Sequence, residues 1–277
     1  MSEGYPVEAV IVSKEALASD DPYDIVESNI NFLNGLLGEC LRPDEVSQDG
    51  MRSYLVDYYL TQVENGGFSQ FVYNSGWDPD INRAIGEGLE AMGAERHRKH
   101  FEQAAGLLDR IEPDRMEEFL EGEYFGENEV RDALNQFDDR FGAIEEEENL
   151  LDLNARWLRS LSNLITLDPE EMDAEVERRA AALPDREERI AAAAAAAPRF
   201  EKLIVALCEA AGHELDQITA GDPSFEWNGE PLIAWHFLTD KGHFYLVDAD
   251  GIARMMHGET DESVCEIEAP EDVYGSE

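Results

Sequence analysis

A nearly uncharged stretch with two adjacent glycines limits how this chain of 277 residues can fold. Residues 58–76 read YYLTQVENGGFSQFVYNSG and contain one charged side chain, Glu64. Helices commonly end at asparagine or glycine, because these residues readily adopt left-handed backbone conformations. We therefore predict that Asn65-Gly66-Gly67 ends one helix and turns the chain, with aromatic side chains closing the corner.

This stretch has two interpretations. As a structural corner, Phe68, Phe71 and Tyr73 would pack against Tyr58 and Tyr59. The nearby amide side chains would then satisfy backbone groups freed at the helix ends; they belong to Asn65, Gln70 and Asn74. As a binding site, the same amides and aromatics would line a pocket for a small polar ligand, a peptide or an enzyme's substrate.

Helical periodicity extends over most of the first two thirds of the chain. Apolar residues recur three and four positions apart, and proline with a capping acid at Asp78-Pro79 marks a helix start. We predict a helical bundle over residues 22–168, including one long helix over 145–167. Before it, residues 1–21 form an N-terminal segment with a short strand at 7–12.

The last third of the chain has a different pattern. Residues 169–198 are mostly charged residues and alanine, which predicts a helical connector. Residues 199–277 begin with an amphipathic helix and continue with short β-branched and aromatic runs. Tight turns at Asp240-Lys241-Gly242 and Asp250-Gly251 separate these runs, as in an antiparallel meander. The predicted fold class is mainly α: a helical bundle domain followed by a small α+β domain.

The charge is extreme: 63 acidic against 21 basic residues give a formal net charge of -42. Free nucleic acid and anionic membranes would be repelled, so basic surfaces, including those of DNA-binding proteins, are the natural partners. Alternatively, the acidity is a high-salt adaptation of a protein with an unrelated function. The densest stretch is 112–148, with 15 acidic and 3 basic residues. On successive helices these residues would build a continuous anionic surface.

No catalytic or cofactor motif is recognisable, and we expect no cofactor or metal. The cysteines, at positions 40, 208 and 265, match no zinc or disulfide spacing, which favours a reducing, cytoplasmic location. His97 and His100 predict a local basic patch that pairs with acidic helices. His236 and His243 flank a hairpin and could face each other. They could bind a metal with Cys265, although a packing role is favoured.

The stretch from Tyr59 to Gly76, and the run 134–141 before a further helix, resemble the signature of a bacterial family named for a DNA-mimic protein. The matching motif residues are Tyr59, Asn65, Gly66, Gly67, Phe68, Gln70, Phe71, Tyr73, Asn74 and Gly76. The resemblance covers about residues 22–168. It implies an all-helical and often dimeric fold. In the founding member, surface carboxylates imitate DNA phosphates and occupy a DNA-binding transcription regulator.

Charge and resemblance together predict a non-catalytic interaction protein that presents ordered carboxylates to a basic DNA-binding partner. We expect no direct binding of nucleic acid or membrane, and homodimerisation is an open possibility. The predicted contact residues are Glu117, Glu118, Glu121, Glu123, Glu127, Asp138, Asp139, Glu145, Glu146, Glu147 and Glu148. The alternatives are a ligand-binding module or enzyme at the 65–74 motif, and an acidic protein adapted to high salt.

Overall fold

The structure, a computed structural model, describes residues 4–274. The chain divides into two compact units, a helical unit up to Arg186 and a sheet unit from Glu187 onward. The predicted fold class is confirmed, because helices dominate the first unit and an antiparallel sheet the second. The division falls inside the predicted connector, and the four-segment organisation stays a prediction.

Ten helices and two short strands make up the described part of the helical unit. The strands are β1 (Val10–Ser13) and β2 (Leu164–Leu167). The helices are α1 (Lys14–Ala18), α2 (Pro22–Gly38), α3 (Gln48–Ser75), α4 (Pro79–Ala91), α5 (Glu95–Leu108), α6 (Pro113–Glu121), α7 (Glu129–Leu134), α8 (Asp138–Glu147), α9 (Leu150–Ser160) and α10 (Pro169–Ala181).

Local capping chemistry explains several of the helix starts. Asp21 and Asp78 each precede a proline in the first turn and accept hydrogen bonds from backbone N–H groups of α2 and α4. Proline fits there because its missing N–H would have had no intrahelical acceptor. Asn128 caps α7 without a following proline, by accepting hydrogen bonds from the backbone N–H groups of Val130 and Arg131. These starts therefore follow from sequence-local signals.

The prediction of one long helix over residues 145–167 is wrong. Asn149 caps a new helix, α9, by accepting a hydrogen bond from the backbone N–H of Asp152. After α9 the chain becomes extended, and β2 pairs in parallel with β1, Val10 lying opposite Leu164. β-branched Ile165 and Thr166 suit this strand. The expectation of an all-helical domain is therefore wrong, because the unit contains this pair of strands. Val10, Ile11 and Val12 of β1 are buried in the unit.

The alanine- and charge-rich helix α10 packs against α2. Met172, Val176 and Ala180 contribute to the same apolar cluster as Phe32 and Leu36 of α2. Glu175 and Arg179 are buried on α10 and form an ion pair with an O–N distance of 2.8 Å. Helix α11 (Arg186–Ala196), by contrast, buries none of its residues.

The sheet unit is a five-stranded antiparallel meander with a helix packed on one face. Its sheet order is β3 (Leu215–Asp222), β6 (Ala234–Thr239), β7 (Gly242–Ala249), β8 (Ile252–His257) and β9 (Ser263–Glu268). A small hairpin is formed by β4 (Glu226–Trp227) and β5 (Glu230–Pro231). The helices are α12 (Arg199–Ala211) and α13 (Glu271–Tyr274). Leu203, Ile204 and Leu207 of α12 pack against Phe237 and Met255.

The predicted meander is confirmed for its three central strands. Asp250 and Gly251 have φ angles of 57° and 71°, as a tight hairpin turn between β7 and β8 requires. The edge strands β3 and β9 were missed, because their alternation is diluted by polar residues and much of each strand is exposed. Within residues 4–274, no helix is long and apolar enough to cross a membrane.

Candidate protein-interaction site

The double glycine kinks α3 and does not end it. Gly66 (φ -151°, ψ 22°) and Gly67 (φ 82°, ψ 176°) leave helical geometry, and the helix resumes immediately afterwards. The prediction that Asn65-Gly66-Gly67 stops the helix is therefore wrong. The kink frees the backbone N–H of Phe68, which donates to Asp138 Oδ1 at 2.8 Å. A Cβ atom on Gly67 would lie 2.4 Å from Asp138 Oδ2, so this close approach requires glycine.

Aromatic rings fill the inside of the kink, as predicted for Phe68 and Phe71, whereas the ring of Tyr73 packs against Phe119 and Tyr124. Tyr59 lies at a ring-centroid distance of 5.1 Å from Phe71 and 6.1 Å from Phe68, and Tyr58 is 6.1 Å from Phe71. Tyr59, Phe68 and Phe71 are fully buried. Edge-to-face packing of this kind is favourable beyond simple burial. Since the rings fill the space against one another, this packing counts against a ligand pocket beneath the motif.

The motif amides do not cap freed backbone groups, contrary to the prediction. Gln70 Nε2 and Asn74 Nδ2 both donate to Gln62 Oε1, at 3.1 and 2.7 Å, which ties the two halves of α3 together across the kink. Asn65 is exposed. Gly76, at φ 61°, ends α3 in the left-handed conformation.

Tyr73 packs away from the kink and holds the acidic loop, the segment 122–128 between α6 and α7. Its hydroxyl donates to the carbonyl of Gly122 at 2.8 Å. From the loop itself, the Tyr124 hydroxyl lies 2.9 Å from Ser69 Oγ and 3.2 Å from the carbonyl of Gly66. The two tyrosine rings are 5.1 Å apart. The motif therefore anchors an acidic surface segment, a link that sequence reasoning missed.

His97 and His100 are fully buried, so the prediction of a basic surface patch is wrong. His97 Nε2 lies 3.1 Å from Glu145 Oε1 and 2.8 Å from the carbonyl of Glu148. His100 Nε2 lies 3.0 Å from the carbonyl of Phe137. Burial lowers the pKa of His100, because a desolvated imidazolium is disfavoured. One part of the prediction holds: His97 pairs with Glu145 of the acidic helix α8. This contact is buried inside the unit and does not lie on its surface.

Three of the predicted contact carboxylates have structural roles. Asp138 accepts the Phe68 N–H, and its partial burial raises the pKa of its carboxyl group. Glu145 Oε1 accepts from the backbone N–H of Leu150 at 3.1 Å, at the start of α9. Glu148 Oε1 accepts from the backbone N–H of Arg96 at 3.0 Å, at the start of α5. Carboxylates at helix N-termini stabilise the helix by neutralising unsatisfied donors.

The remaining predicted contact residues are exposed. They are Glu117, Glu118, Glu121, Glu123, Glu127, Asp139, Glu146 and Glu147. Glu147 forms an ion pair with Arg96. Five of them, on α6 and the acidic loop, form no salt bridge within residues 4–274, and we call these five the acidic face: Glu117, Glu118, Glu121, Glu123 and Glu127. Glu118 and Glu127 also line a depression of about 400 Å³ with Arg115, Asn128 and Glu129.

Basic side chains nearby are directed elsewhere. Arg98 pairs with Glu95 and Glu102, and Lys99 also pairs with Glu95. Arg115 pairs with Glu129 at the start of α7, outside the acidic face. Arg131 donates to the carbonyl of Tyr124 at 2.9 Å. The five glutamates of the acidic face therefore stay outside any salt bridge within residues 4–274, although Arg115 lines the same depression as Glu118 and Glu127.

In the sheet unit, His236 and His243 face each other as predicted. His236 Nδ1 and His243 Nε2 are 3.0 Å apart. Cys265 lies with the apolar cluster beneath α12, together with Met255, and does not join them. Among residues 4–274, no group of three or more His, Cys, Asp or Glu side chains could hold a metal ion.

A bundle built on a kinked aromatic helix, with unpaired carboxylates on its surface, defines an acidic helical domain. Residues 44–161 match the model of the DMP19-like protein family. The family resemblance inferred from the motif is thereby confirmed. Among curated proteins and solved structures, no significant similarity to the chain is found.

Removing the Tyr59 hydroxyl should not destabilise the domain. Tyr59 Oη is fully buried and has no hydrogen-bond partner among the described residues. We expect Tyr59→Phe to raise the free energy of unfolding by up to about 1 kcal/mol, because an unsatisfied polar group is removed while the ring is kept. Tyr59→Leu, the control, should lower it by about 2 kcal/mol through lost ring packing. Urea unfolding measures both, and a large loss in Tyr59→Phe would contradict the structural assignment.

Proposed function

We propose that the protein is a non-catalytic DNA mimic whose acidic face binds a basic, DNA-binding regulator in the cytoplasm. The observation that carries the proposal is the set of five exposed, unpaired glutamates on α6 and the acidic loop. DNA-binding surfaces are selected to bind closely spaced negative charges, one per roughly 1.7 Å of duplex axis. A set of carboxylates held in place on a stiff scaffold offers such a surface negative charges in the place of DNA phosphates.

The scaffold supports this function because it fixes where the charges lie. Glu117, Glu118 and Glu121 are held on a helix, and the loop that carries Glu123 and Glu127 is anchored by Tyr73 and Tyr124. A pre-organised surface loses less conformational entropy on binding than a flexible one. The match of residues 44–161 to the DMP19-like family model supports the same class of function. The resemblance also implies a homodimer, and we include this in the proposal. Analytical ultracentrifugation measures the oligomeric state.

A competition experiment tests the proposal. Purified helix–turn–helix regulators are bound to a fluorescent duplex carrying their operator, and the protein is added as competitor at rising salt. We expect release of the duplex, and a steep loss of competition with salt, as electrostatic binding requires. If no regulator in the panel releases its duplex, the proposal fails.

Two variants with the same change in net charge test whether binding depends on the acidic face or only on the total negative charge of the protein. The test variant replaces the five glutamates of the acidic face by glutamine. The control variant does so at five exposed positions of the sheet unit: Glu226, Glu230, Glu259, Glu262 and Glu268. We expect the test variant to need at least about fivefold more protein for half-displacement, since each of the five lost ion pairs contributes about 0.2–1 kcal/mol. Equal losses in both would instead favour the high-salt alternative.

A further inference from the structure

Phe125 is an exposed aromatic residue in the middle of the acidic loop. Its side chain is 84% exposed, the highest value among the large hydrophobic side chains of the described residues. Single exposed apolar residues are common. Because this ring buries so little of its surface, its packing contributes little to the stability of the fold. Its ring lies at a centroid distance of 5.3 Å from the ring of the neighbouring Tyr124.

The charges around Phe125 select the chemistry of a partner. Glu123 and Glu127, both exposed and outside any salt bridge in the described part of the chain, lie two residues to either side. A second copy of this loop would bring like charges together, which disfavours self-association through Phe125. A cation suits the surroundings, since the face of an aromatic ring attracts positive charge.

Resting on the proposed function, we infer that Phe125 and its flanking glutamates form a receptor for an arginine side chain on the partner's DNA-contacting surface. Arginine stacks on aromatic rings through its planar guanidinium and binds carboxylates through two parallel hydrogen bonds, whereas lysine is a compact point charge. Arginine also makes the commonest specific base contact and many phosphate contacts in DNA-binding proteins.

Anchoring of the loop makes this receptor rigid before binding. Tyr73 holds Gly122 at one end of the loop, and Tyr124, the residue before Phe125, is bound to Ser69 and Gly66 of the kinked helix. At the other end, Asn128 caps α7 through the backbone N–H groups of Val130 and Arg131. The family motif thereby positions the aromatic ring, and an arginine would meet a receptor that is already ordered.

Two peptides of equal charge test the inference: fluorescein-labelled deca-arginine and deca-lysine, titrated by anisotropy at low salt. We expect the arginine peptide to bind the wild-type protein about fivefold more tightly than the lysine peptide. Phe125→Leu should reduce this ratio about threefold, with the salt dependence retained, because the remaining carboxylates still attract both peptides. Phe125→Trp should keep or increase the ratio. Tyr23→Leu, at an exposed aromatic of α2, is the control and should leave it unchanged.

Several outcomes overturn the inference. They are a ratio near one in the wild type, an unchanged ratio in Phe125→Leu, failure to bind either peptide, and a shift from dimer to monomer in Phe125→Leu by sedimentation. If duplex displacement persists in any of these cases, the proposed function stands and only the arginine receptor is wrong. If displacement is absent although the ratio responds to Phe125, the receptor exists and the proposed function fails.

Discussion

Gly67→Ala should lower the free energy of unfolding by about 3 kcal/mol, since the backbone conformation at this position is essentially restricted to glycine. Gly67 has φ 82° and ψ 176°, and the added Cβ would lie 2.4 Å from Asp138 Oδ2. To relieve the clash, Asp138 would have to move away from the N–H of Phe68, leaving that donor without its acceptor. Chemical denaturation followed by circular dichroism measures the loss.

The same substitution at Gly76 is the matched control. Gly76 also has a positive φ, 61°, but no atom lies within 4 Å of the Cβ that an alanine would add. Only the left-handed backbone penalty then applies, about 1 kcal/mol. Equal effects at both positions would show that contact with Asp138 contributes nothing at Gly67.

Asp57→Asn should stabilise the protein at neutral pH, by about 2 kcal/mol. Asp57 is 9% exposed on α3, and burial, with a smaller contribution from the charge of Glu64, raises the pKa of its carboxyl group from 3.8 to about 6. An ionised carboxylate is therefore disfavoured in the folded state. Asparagine keeps the shape of the side chain without the charge.

The pH dependence has a defined sign. Because the folded-state pKa of Asp57 is above the unfolded value, the folded protein binds more protons between pH 3.8 and about 6. This group therefore makes stability fall as pH rises through that window. The advantage of Asp57→Asn over wild type should be small near pH 4 and full above pH 6. Exposed Asp139→Asn is the control, with a change below about 0.5 kcal/mol. A constant difference at all pH values would contradict the burial argument.

What the sequence could predict depends on how local the cause is. Helix starts at Asp78-Pro79 and the turn at Asp250-Gly251 follow from neighbouring residues, and the structure has them. The pairing of β1 with β2 was not predictable, because each strand is only four residues long and its partner is remote in sequence. Hydrophobic periodicity over residues 145–167 could not reveal that the chain becomes extended after Ser160, because the strand β2 is stabilised by this distant partner.

The candidate site shows the same division. Charge density in the sequence pointed to the region of the acidic face. It could not show that Glu146 is exposed whereas Glu145 and Glu148 accept hydrogen bonds from the backbone. The latter two turn inward because the helix starts at α5 and α9 lie where their carboxylates can accept hydrogen bonds. Asn149 before an apolar run was the available signal for the second of these starts. The sequence shows that Phe125 lies in a segment with two glycines and a glutamate, Gly122, Glu123 and Gly126. It does not show that the side chain of Phe125 is exposed.

The parallel pairing of β1 with β2 has a consequence for how the helical unit is made. Residues near the start of the chain complete the unit only when residues 164–167 are available, so the segment 44–161 lacks a strand pair that the whole unit contains. Contacts between such distant residues slow folding, because a long loop must close before they form. On the ribosome, β1 must wait for a partner strand that is synthesised about 150 residues later.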